Sequence, residues 1–434
     1  MKPRSRFWWA LGGTGALLVG LAVALVLWVM GAVTEPLPAG ADRGDPQALG
    51  DPDQRISVLI LGYDVELSPT GRRLIGRSDT IMVATFDPLL KRVEVLSVPR
   101  DTRTEIPGRG QDKINAATAY GGASLGVATL SQFLGVPFQH YVLVSVEGFA
   151  DLVDMIGGID VYVPYDMNYD DPAQDLSIHI KKGFQHLNGY QAMGFVRERY
   201  GDPEGDFGRV KRQQAFLKAV AEKMVQPSNW KNVPQLVKEA LKHVRTNLTV
   251  DEILTLASIA YDAGPDGLVT DTLPTTDLWL KGVSYQKADP KTVALYVNRY
   301  VRGIDPEENS RIRVRILYPE GQEKVAASLA EALQTLGYPV VDVSPAHGDY
   351  KRPTAVFAQR DKVVAGRVMV RTLRYVWEEL SSPYDASYLD RPDHDVKGPD
   401  GQILPWDVAL WVGPELTADD VEKVFTLQPV VNRR

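Results

Sequence analysis

The chain has 434 residues, 44% of them apolar and 24% charged, the balance of an ordinary globular protein. A formal net charge of −7 excludes a general nucleic-acid binder, which would carry a basic domain. The absence of cysteine excludes a disulfide framework, thiol catalysis and thiolate metal sites.

Lys2, Arg4 and Arg6 lead into an uncharged run from Phe7 to Thr34, with Glu35 behind it. About 20 apolar residues span a bilayer, so the run predicts one transmembrane helix over 7–34. The positive-inside bias leaves 1–6 in the cytoplasm and puts the rest outside the cell membrane. Trp8, Trp9 and Trp28 mark its ends, where indole favours the headgroup zone. A cleaved signal peptide, with Ala39-Gly40-Ala41 as its cleavage site, is the alternative. Its apolar stretch would ordinarily be about 7–15 residues, well short of this run. Residues 35–54, rich in Pro, Gly and Asp, read as a linker.

Beyond it the pattern alternates. Ile56–Leu61, Ile81–Phe86 and Val93–Val98 are short β-branched runs that predict buried strands. A helix is predicted over Ala116–Phe133, a strand over Tyr141–Val146, a helix over Glu147–Ile156 and a strand over Ile159–Val163. Asn188–Phe195, Gly208–Val225, Val233–His243 and Val250–Tyr261 predict helices. The last opens on the capping pair Thr249 and Glu252. Asp289-Pro290 predicts another, running to about Tyr300. This is a mixed α–β layered domain of the α/β class, with a central sheet flanked by helices, expected over 55–305. Arg302–Ser310 reads as the boundary to a smaller β/α domain over 311–413, with 414–434 as a tail. Its strands are expected at Ile312–Leu317, Val340–Val343, Thr354–Ala358 and Val408–Val412, and its helices at Gln322–Leu336 and Lys362–Leu380.

Charged motifs gather in the first domain: LGYD (Asp64), GRSDT (Arg77, Asp79), SVPRDT (Arg100, Asp101), VRER (Arg197, Arg199) and GDFGRVKRQQ (Asp206, Arg209, Gln213). Guanidinium holds phosphate through paired hydrogen bonds and stays charged at any working pH. Carboxylates beside such a cluster suit Mg²⁺, which takes few protein oxygens and fills its shell with water and phosphate. Asp64 falls just after the first predicted strand, Asp79 just before the second, and Arg100 and Asp101 just after the third. Strand ends are where α/β sheets bind ligands. The plain alternative is a set of turn caps and surface ion pairs, with PRD and VRER bridging internally. The one GxSxG match, around Ser124, lies in a predicted helix and lacks the strand-to-helix elbow. No HExxH or P-loop is present, and His140, His179 and His186 are scattered.

These motifs resemble, in order, the signatures of the LytR-CpsA-Psr family. DKINAA (Asp112–Ala117), EGF (Glu147–Phe149), GGIDV (Gly157–Val161) and LNGYQA (Leu187–Ala192) join those above. The resemblance covers about 55–305. Residues 311–413 resemble the C-terminal domain often appended to such proteins, with DVALWVG (Asp407–Gly413) the clearest piece. Tyr318-Pro319-Glu320-Gly321 stands where the family usually has an Asn-Gly-Ser-Gly-like turn.

The resemblance implies a membrane-anchored phosphotransferase that moves a glycopolymer from a polyprenyl-pyrophosphate carrier to peptidoglycan. It implies Asp64 and Asp79 as Mg²⁺ ligands. Arg77, Arg100, Lys113, Arg197, Arg199 and Arg209 are implied as pyrophosphate contacts, with Gln213 beside them. The hydroxyl proton could pass to Asp79, Asp101 or Asp206, the last slightly favoured. An apolar tunnel for the polyprenyl tail is implied as well, with Phe216 and Val220 as candidate walls. A pyrophosphate hydrolase using the same residues and water is the main alternative, and a non-catalytic glycan- or lipid-binding protein a further one.

Overall fold

The computed structural model describes residues 54–67, 73–171, 176–198, 206–224, 244–346, 353–377, 380, 396–397 and 403–427. The expected membrane helix, the linker and the expected helix Val233–His243 lie outside them. Among the described residues no helix is long and apolar enough to cross a membrane. The chain divides into two compact units, residues 56–288 and residues 289–434, the second also taking in Arg55.

In the first unit β1 (Ile56–Leu67), β2 (Arg73–Asp87) and β3 (Arg92–Ser97) form an antiparallel meander. The hairpin β4 (Arg103–Ile106)–β5 (Gly110–Lys113) follows, then α1 (Ala116–Leu134), bent at Gly121 and Gly122. Next come β6 (His140–Ser145) and α2 (Val146–Met155). A two-stranded ribbon then runs out through β7 (Ile159–Val163) and β8 (Met167–Asp171) and back through β9 (Leu176–Ile180) and β10 (Gly183–Leu187). After it come α3 (Gly189–Arg197), α4 (Asp206–Met224), β11 (Val244–Thr246), α5 (Val250–Ala263) and β12 (Leu268–Thr272). The hairpin β13 (Thr276–Leu280)–β14 (Val283–Lys287) closes the unit.

The main sheet has the order β11-β6-β1-β2-β3-β12. β6 is parallel to β1 and β12 to β3, while the other pairings are antiparallel. Its strands alternate, so helices cover both faces. Ile56 and Val58 pack with Leu256 and Ile259 of α5. Leu61 faces the other way, toward Gly126 of α1, where an added Cβ would lie 3.2 Å from the Leu61 side chain. The mixed α–β sheet flanked by helices expected from the sequence is therefore present. Burying each such aliphatic side chain contributes about 1.5–3 kcal/mol.

Two of the motifs turn out to be architectural. In GGIDV, Gly157 and Gly158 take φ of 79° and 73° and end α2, with Gly158 N–H donating to Val153 O at 2.9 Å. In LNGYQA, Asn188 and Gln191 form a capping box on α3. Gly189 lets α3 approach α2 so closely that a Cβ there would sit 1.9 Å from Ala150 O.

The units divide at 288/289, not within 302–310. Asp289 caps α6 (Pro290–Tyr296), as its Asp-Pro pair suggests, but α6 and the turn Val297–Arg302 belong to the second unit. Asn298 Nδ2 there donates to Leu427 O at 2.9 Å, and the Arg55 guanidinium donates to the Tyr300 and Val301 carbonyls. A short helix α7 (Pro306–Asn309) leads into the sheet, so a linker-like composition at 302–310 hides an ordered, packed segment.

That sheet has the order β16-β15-β20-β17, from β15 (Val314–Tyr318), β16 (Val340–Pro345), β17 (Ala355–Ala358) and β20 (Val408–Trp411). The small pair β18 (Val396–Lys397)–β19 (Ile403–Leu404) precedes β20 in the chain. Helices α8 (Glu323–Thr335), α9 (Val363–Arg374) and α10 (Ala418–Thr426) complete the unit. The expected tail thus contains a helix. α10 opens on a Thr417/Asp420 capping box and buries Val421 and Val424, so its apolar spacing anchors it. The Asp407 carboxylate takes two hydrogen bonds from the Arg313 guanidinium, 2.9 and 2.8 Å long, which hold it below the usual carboxylate range.

Candidate functional site

The pairing of β1 with β2 slips twice near its middle. Gly62 faces Thr80, Tyr63 faces Ser78 and Val65 faces Ile75. Asp79 is thus left over on β2, and Asp64 stands opposite the unpaired Gly76–Arg77 step. Extra residues of this kind are β-bulges, which bend a strand and re-aim its side chains. Asp64 and Asp79 therefore sit inside long strands at bulges, not just outside strand ends as the apolar runs suggest. The apolar pattern stops where the site begins, although the backbone pairing continues.

The next wall is the turn after β3. Arg100 Nη1 lies 2.7 Å from Asp79 Oδ2, and Arg100 Nε 3.8 Å from Asp101 Oδ2. Lys113 Nζ lies 2.8 Å from Asp101 Oδ1. The PRD pair bridges internally only at the longer distance, and the tight partner of Arg100 is Asp79. Backbone bonds hold the turn. Thr102 Oγ1 donates to Pro99 O at 2.6 Å, Asn115 N to Arg100 O at 3.2 Å, and Ser78 N to Asn115 O at 3.2 Å. The DKINAA segment thereby ties β2 to the turn, and its buried Asn115 Oδ1 has no hydrogen-bond partner.

Burial raises the Asp64 carboxyl above its ordinary value, and Asp79 adds to this through its charge and a shared hydrogen bond. The charges of Arg197 and Arg100 pull the other way. The bulged strands, the turn and the end of α3 thus bring together Asp64, Asp79, Arg100, Asp101, Lys113 and Arg197. Two carboxylates in hydrogen-bond contact must share a proton or a cation. Among the described residues no group of three or more His, Asp or Glu could hold a metal ion. A divalent cation here would accordingly rest on two carboxylates plus water and substrate oxygens, a donor set that fits Mg²⁺.

Arg77 is exposed, and its charge acts on the Tyr120 phenol. That phenol donates to Asp112 Oδ2 at 2.6 Å, which raises its pKa. Arg199 lies outside the described residues, as do the side chains of Asp206, Arg209 and Gln213; α4, which bears the last three, is in place. Ser124 is an exposed residue of helix α1, just past the bend at Gly121 and Gly122, and no strand leads into it. Phe216 is buried 4.7 Å from Phe149 in a cluster that Val220 also lines.

Two participants escaped the motif reading. The β13–β14 hairpin docks against the turn, with Gln286 N donating to Asp101 O at 2.8 Å. Its Tyr285 ring lies 5.8 Å from Lys113 Nζ and 6.0 Å from the Arg103 guanidinium. No charged motif surrounds Tyr285, so nothing in the sequence singles it out.

Arg212 is the second. Buried to 2% exposure, it donates from Nε to Phe195 O at 2.8 Å and from Nη2 to Glu198 O. These carbonyls flank Arg197 at the open end of α3, so Arg212 fixes where Arg197 emerges. Arg212→Ala should lower stability by about 2–4 kcal/mol in chemical denaturation. Lysine at 212 should recover less than half, because an ammonium cannot make the planar fork.

The sequence profile of the LytR_cpsA_psr family matches residues 39–300. The chain belongs to that family. It is 38% identical over 261 residues to "Polyisoprenyl-teichoic acid--peptidoglycan teichoic acid transferase TagU" of Bacillus mycoides (strain KBAB4), covering 58% of this chain and 82% of that protein. It is 37% identical over 228 residues to the corresponding TagV of Bacillus subtilis (strain 168), covering 52% of this chain and 58% of that protein. The crystal structure of protein gbs0355 from Streptococcus agalactiae matches with a TM-score of 0.52 at 25% identity, over 59% of this chain and 89% of that one. As a LytR_cpsA_psr protein, the chain is a transferase. The profile ends twelve residues past the 288 boundary, so the family's match covers the first unit and also takes in α6 of the second.

Proposed function

We propose that the enzyme transfers a glycopolymer from a polyprenyl-pyrophosphate carrier to a hydroxyl of peptidoglycan. The reading is carried by one observation, the joining of a carboxylate pair to Arg100, Lys113 and Arg197. Pyrophosphate is polyanionic, and its transfer asks a protein mainly for positioning and charge neutralisation. Bound between Asp64 and Asp79, Mg²⁺ would supply further neutralisation of the phosphate oxygens. Arg100, Lys113 and Arg197 orient the two phosphates, and the family resemblance adds Arg77, Arg199, Arg209 and Gln213 as further contacts.

The acceptor oxygen forms a bond to the phosphorus that bears the glycopolymer. The bond from that phosphorus to the bridging oxygen breaks, and polyprenyl phosphate leaves. The hydroxyl proton passes to a carboxylate. Asp79 is engaged by Arg100 and Asp64, whereas Asp101 is about one-third exposed beside Lys113. We assign Asp101 that role, with Asp206 as its alternative. The 7–34 segment anchors the protein in the cell membrane, N-terminus inside and catalytic unit outside, where a polyprenyl carrier is confined. The second unit serves binding or placement, since its described residues show no comparable cluster.

The test is product identity. The full chain is given a polyprenyl-pyrophosphate-linked glycan, Mg²⁺ and peptidoglycan fragments, and the products are weighed by mass spectrometry. A phosphodiester-linked glycan with polyprenyl phosphate is expected. Sugar phosphate with polyprenyl phosphate alone would establish a hydrolase instead.

A further inference from the structure

The ribbon between α2 and α3 has two unlike faces. Inward, Ile159, Val161, Val163, Met167, Ile178 and Ile180 pack into a core with Phe195 and Phe216. The alternate residues face solvent and include an aromatic pair. Tyr162 and Phe184 are directly paired across the strands, with ring centroids 5.6 Å apart in an edge-on arrangement, yet they are 52% and 83% exposed. A phenylalanine so exposed, set edge-on to a second aromatic ring, is the kind of surface apolar group that marks an interaction site.

Beside the rings lie paired hydrogen-bonding groups. His186 Nδ1 donates to Asp160 Oδ1 at 2.7 Å, two residue pairs along the ribbon from the aromatic pair and on the same face. Further along, His179 Nε2 lies 3.3 Å from Asp170 Oδ1, and Lys181 Nζ 3.3 Å from Asp166 Oδ2. Asp160 also has Lys223 Nζ 3.5 Å away and Asp166 has Lys181, so two of these three carboxylates are balanced by an ammonium group. That balance disfavours a polyanionic polymer and an anionic lipid surface alike, both of which ask for unpaired cations. It suits a neutral polyol. A pyranose ring lays its polarised C–H bonds on the negative face of an aromatic ring, while carboxylate and imidazole groups bond its hydroxyls.

The ribbon is also continuous with the candidate site. β10 runs directly into α3, whose nine residues rise about 13 Å to Arg197. We propose that the outer face of this ribbon, centred on Tyr162 and Phe184, docks the saccharide chain of the acceptor glycan. The inference rests on the transferase reading and adds where the acceptor lies. A glycan strand held there reaches the cationic cluster with a saccharide further along the same chain.

The test uses the full-length protein in detergent micelles and soluble, uncrosslinked peptidoglycan glycan chains, titrated by calorimetry. Phe184→Ala and Tyr162→Ala should each weaken glycan binding about tenfold, whereas Tyr162→Phe, which keeps the ring, should bind within about twofold of the parent. Both side chains lie outside the core, so melting temperatures should stay with the parent's. In the transfer assay, KM for the glycan should rise in proportion. An unchanged Kd and KM in Phe184→Ala, with transfer by the parent intact, would overturn the docking face and leave the transferase reading standing. Glycan binding lost in Phe184→Ala, from a parent that performs no transfer, would keep the face and refute the transferase. Loss of binding to phosphatidylglycerol vesicles with glycan binding unchanged would overturn the proposal in favour of a lipid contact.

Discussion

Replacing Arg100 with alanine should lower turnover at least about 10²–10³-fold, equivalent to about 3–4 kcal/mol of lost transition-state stabilisation. Arg100 Nη1 lies 2.7 Å from Asp79, and the guanidinium also faces Asp101. Its guanidinium links the bulged strand β2 to the turn after β3. Its backbone is pinned independently by Asn115 and by the Pro99–Thr102 turn, so the fold should survive the change. Initial rates and a melting curve on the same preparation separate the two effects. A variant that melts early as well as failing to turn over would mean that Arg100 is chiefly structural. Lysine at 100 should restore little, since a point charge cannot hold a phosphate and a carboxylate along two defined directions.

The second large effect concerns stability and pH. Asp64 has a folded pKa above the ordinary carboxylate value of 3.8, because of burial first and Asp79 second. The native state therefore binds this proton more tightly than the unfolded chain does. Stability falls as pH rises from the unfolded value through the raised folded one, and the cost is complete above it. Asp64→Asn removes that cost. In EDTA at pH 7 it should stabilise the protein by about 0.5–2 kcal/mol, with the gain vanishing toward pH 3, while transferase activity is lost. Stability that rises with activity retained would remove Asp64 from the site, and a less stable variant would contradict the repulsion with Asp79. Such an exchange of stability for function is expected where like charges are held together for a ligand.

Much of the catalytic unit was legible because strand and helix periods are local. The apolar runs at 56–61, 81–86 and 93–98 locate three sheet strands, and Asn188 and Thr249 announce their helices through cap chemistry. Where the signal is not local, the sequence pattern is silent. β1 and β2 extend through Asp64 and Asp79 because their hydrogen-bonded pairing continues past the apolar residues, and bulges leave no compositional mark. The hairpin β4–β5 is polar, and in β13–β14 the apolar residues Leu278, Trp279 and Leu280 run consecutively, so alternation reveals neither. Arg212 sits one residue before Gln213 in a motif read as charged, yet it turns inward to backbone carbonyls that no sequence pattern connects to it. Convergence of Asp64, Asp79, Arg100, Asp101 and Lys113 was foreseeable from their motifs. Their individual partners were not, since ion-pair choice depends on tenths of an ångström at a bulge.

The most direct measurement is binding of polyprenyl pyrophosphate, with Mg²⁺ present, to the parent protein and to Arg100→Ala, followed by ³¹P resonance. The account predicts that both phosphorus signals shift on the parent, that the shifts vanish in Arg100→Ala, and that Asp79→Asn weakens them. Equal shifts in all three proteins would place the pyrophosphate elsewhere and contradict the assignment of the cluster.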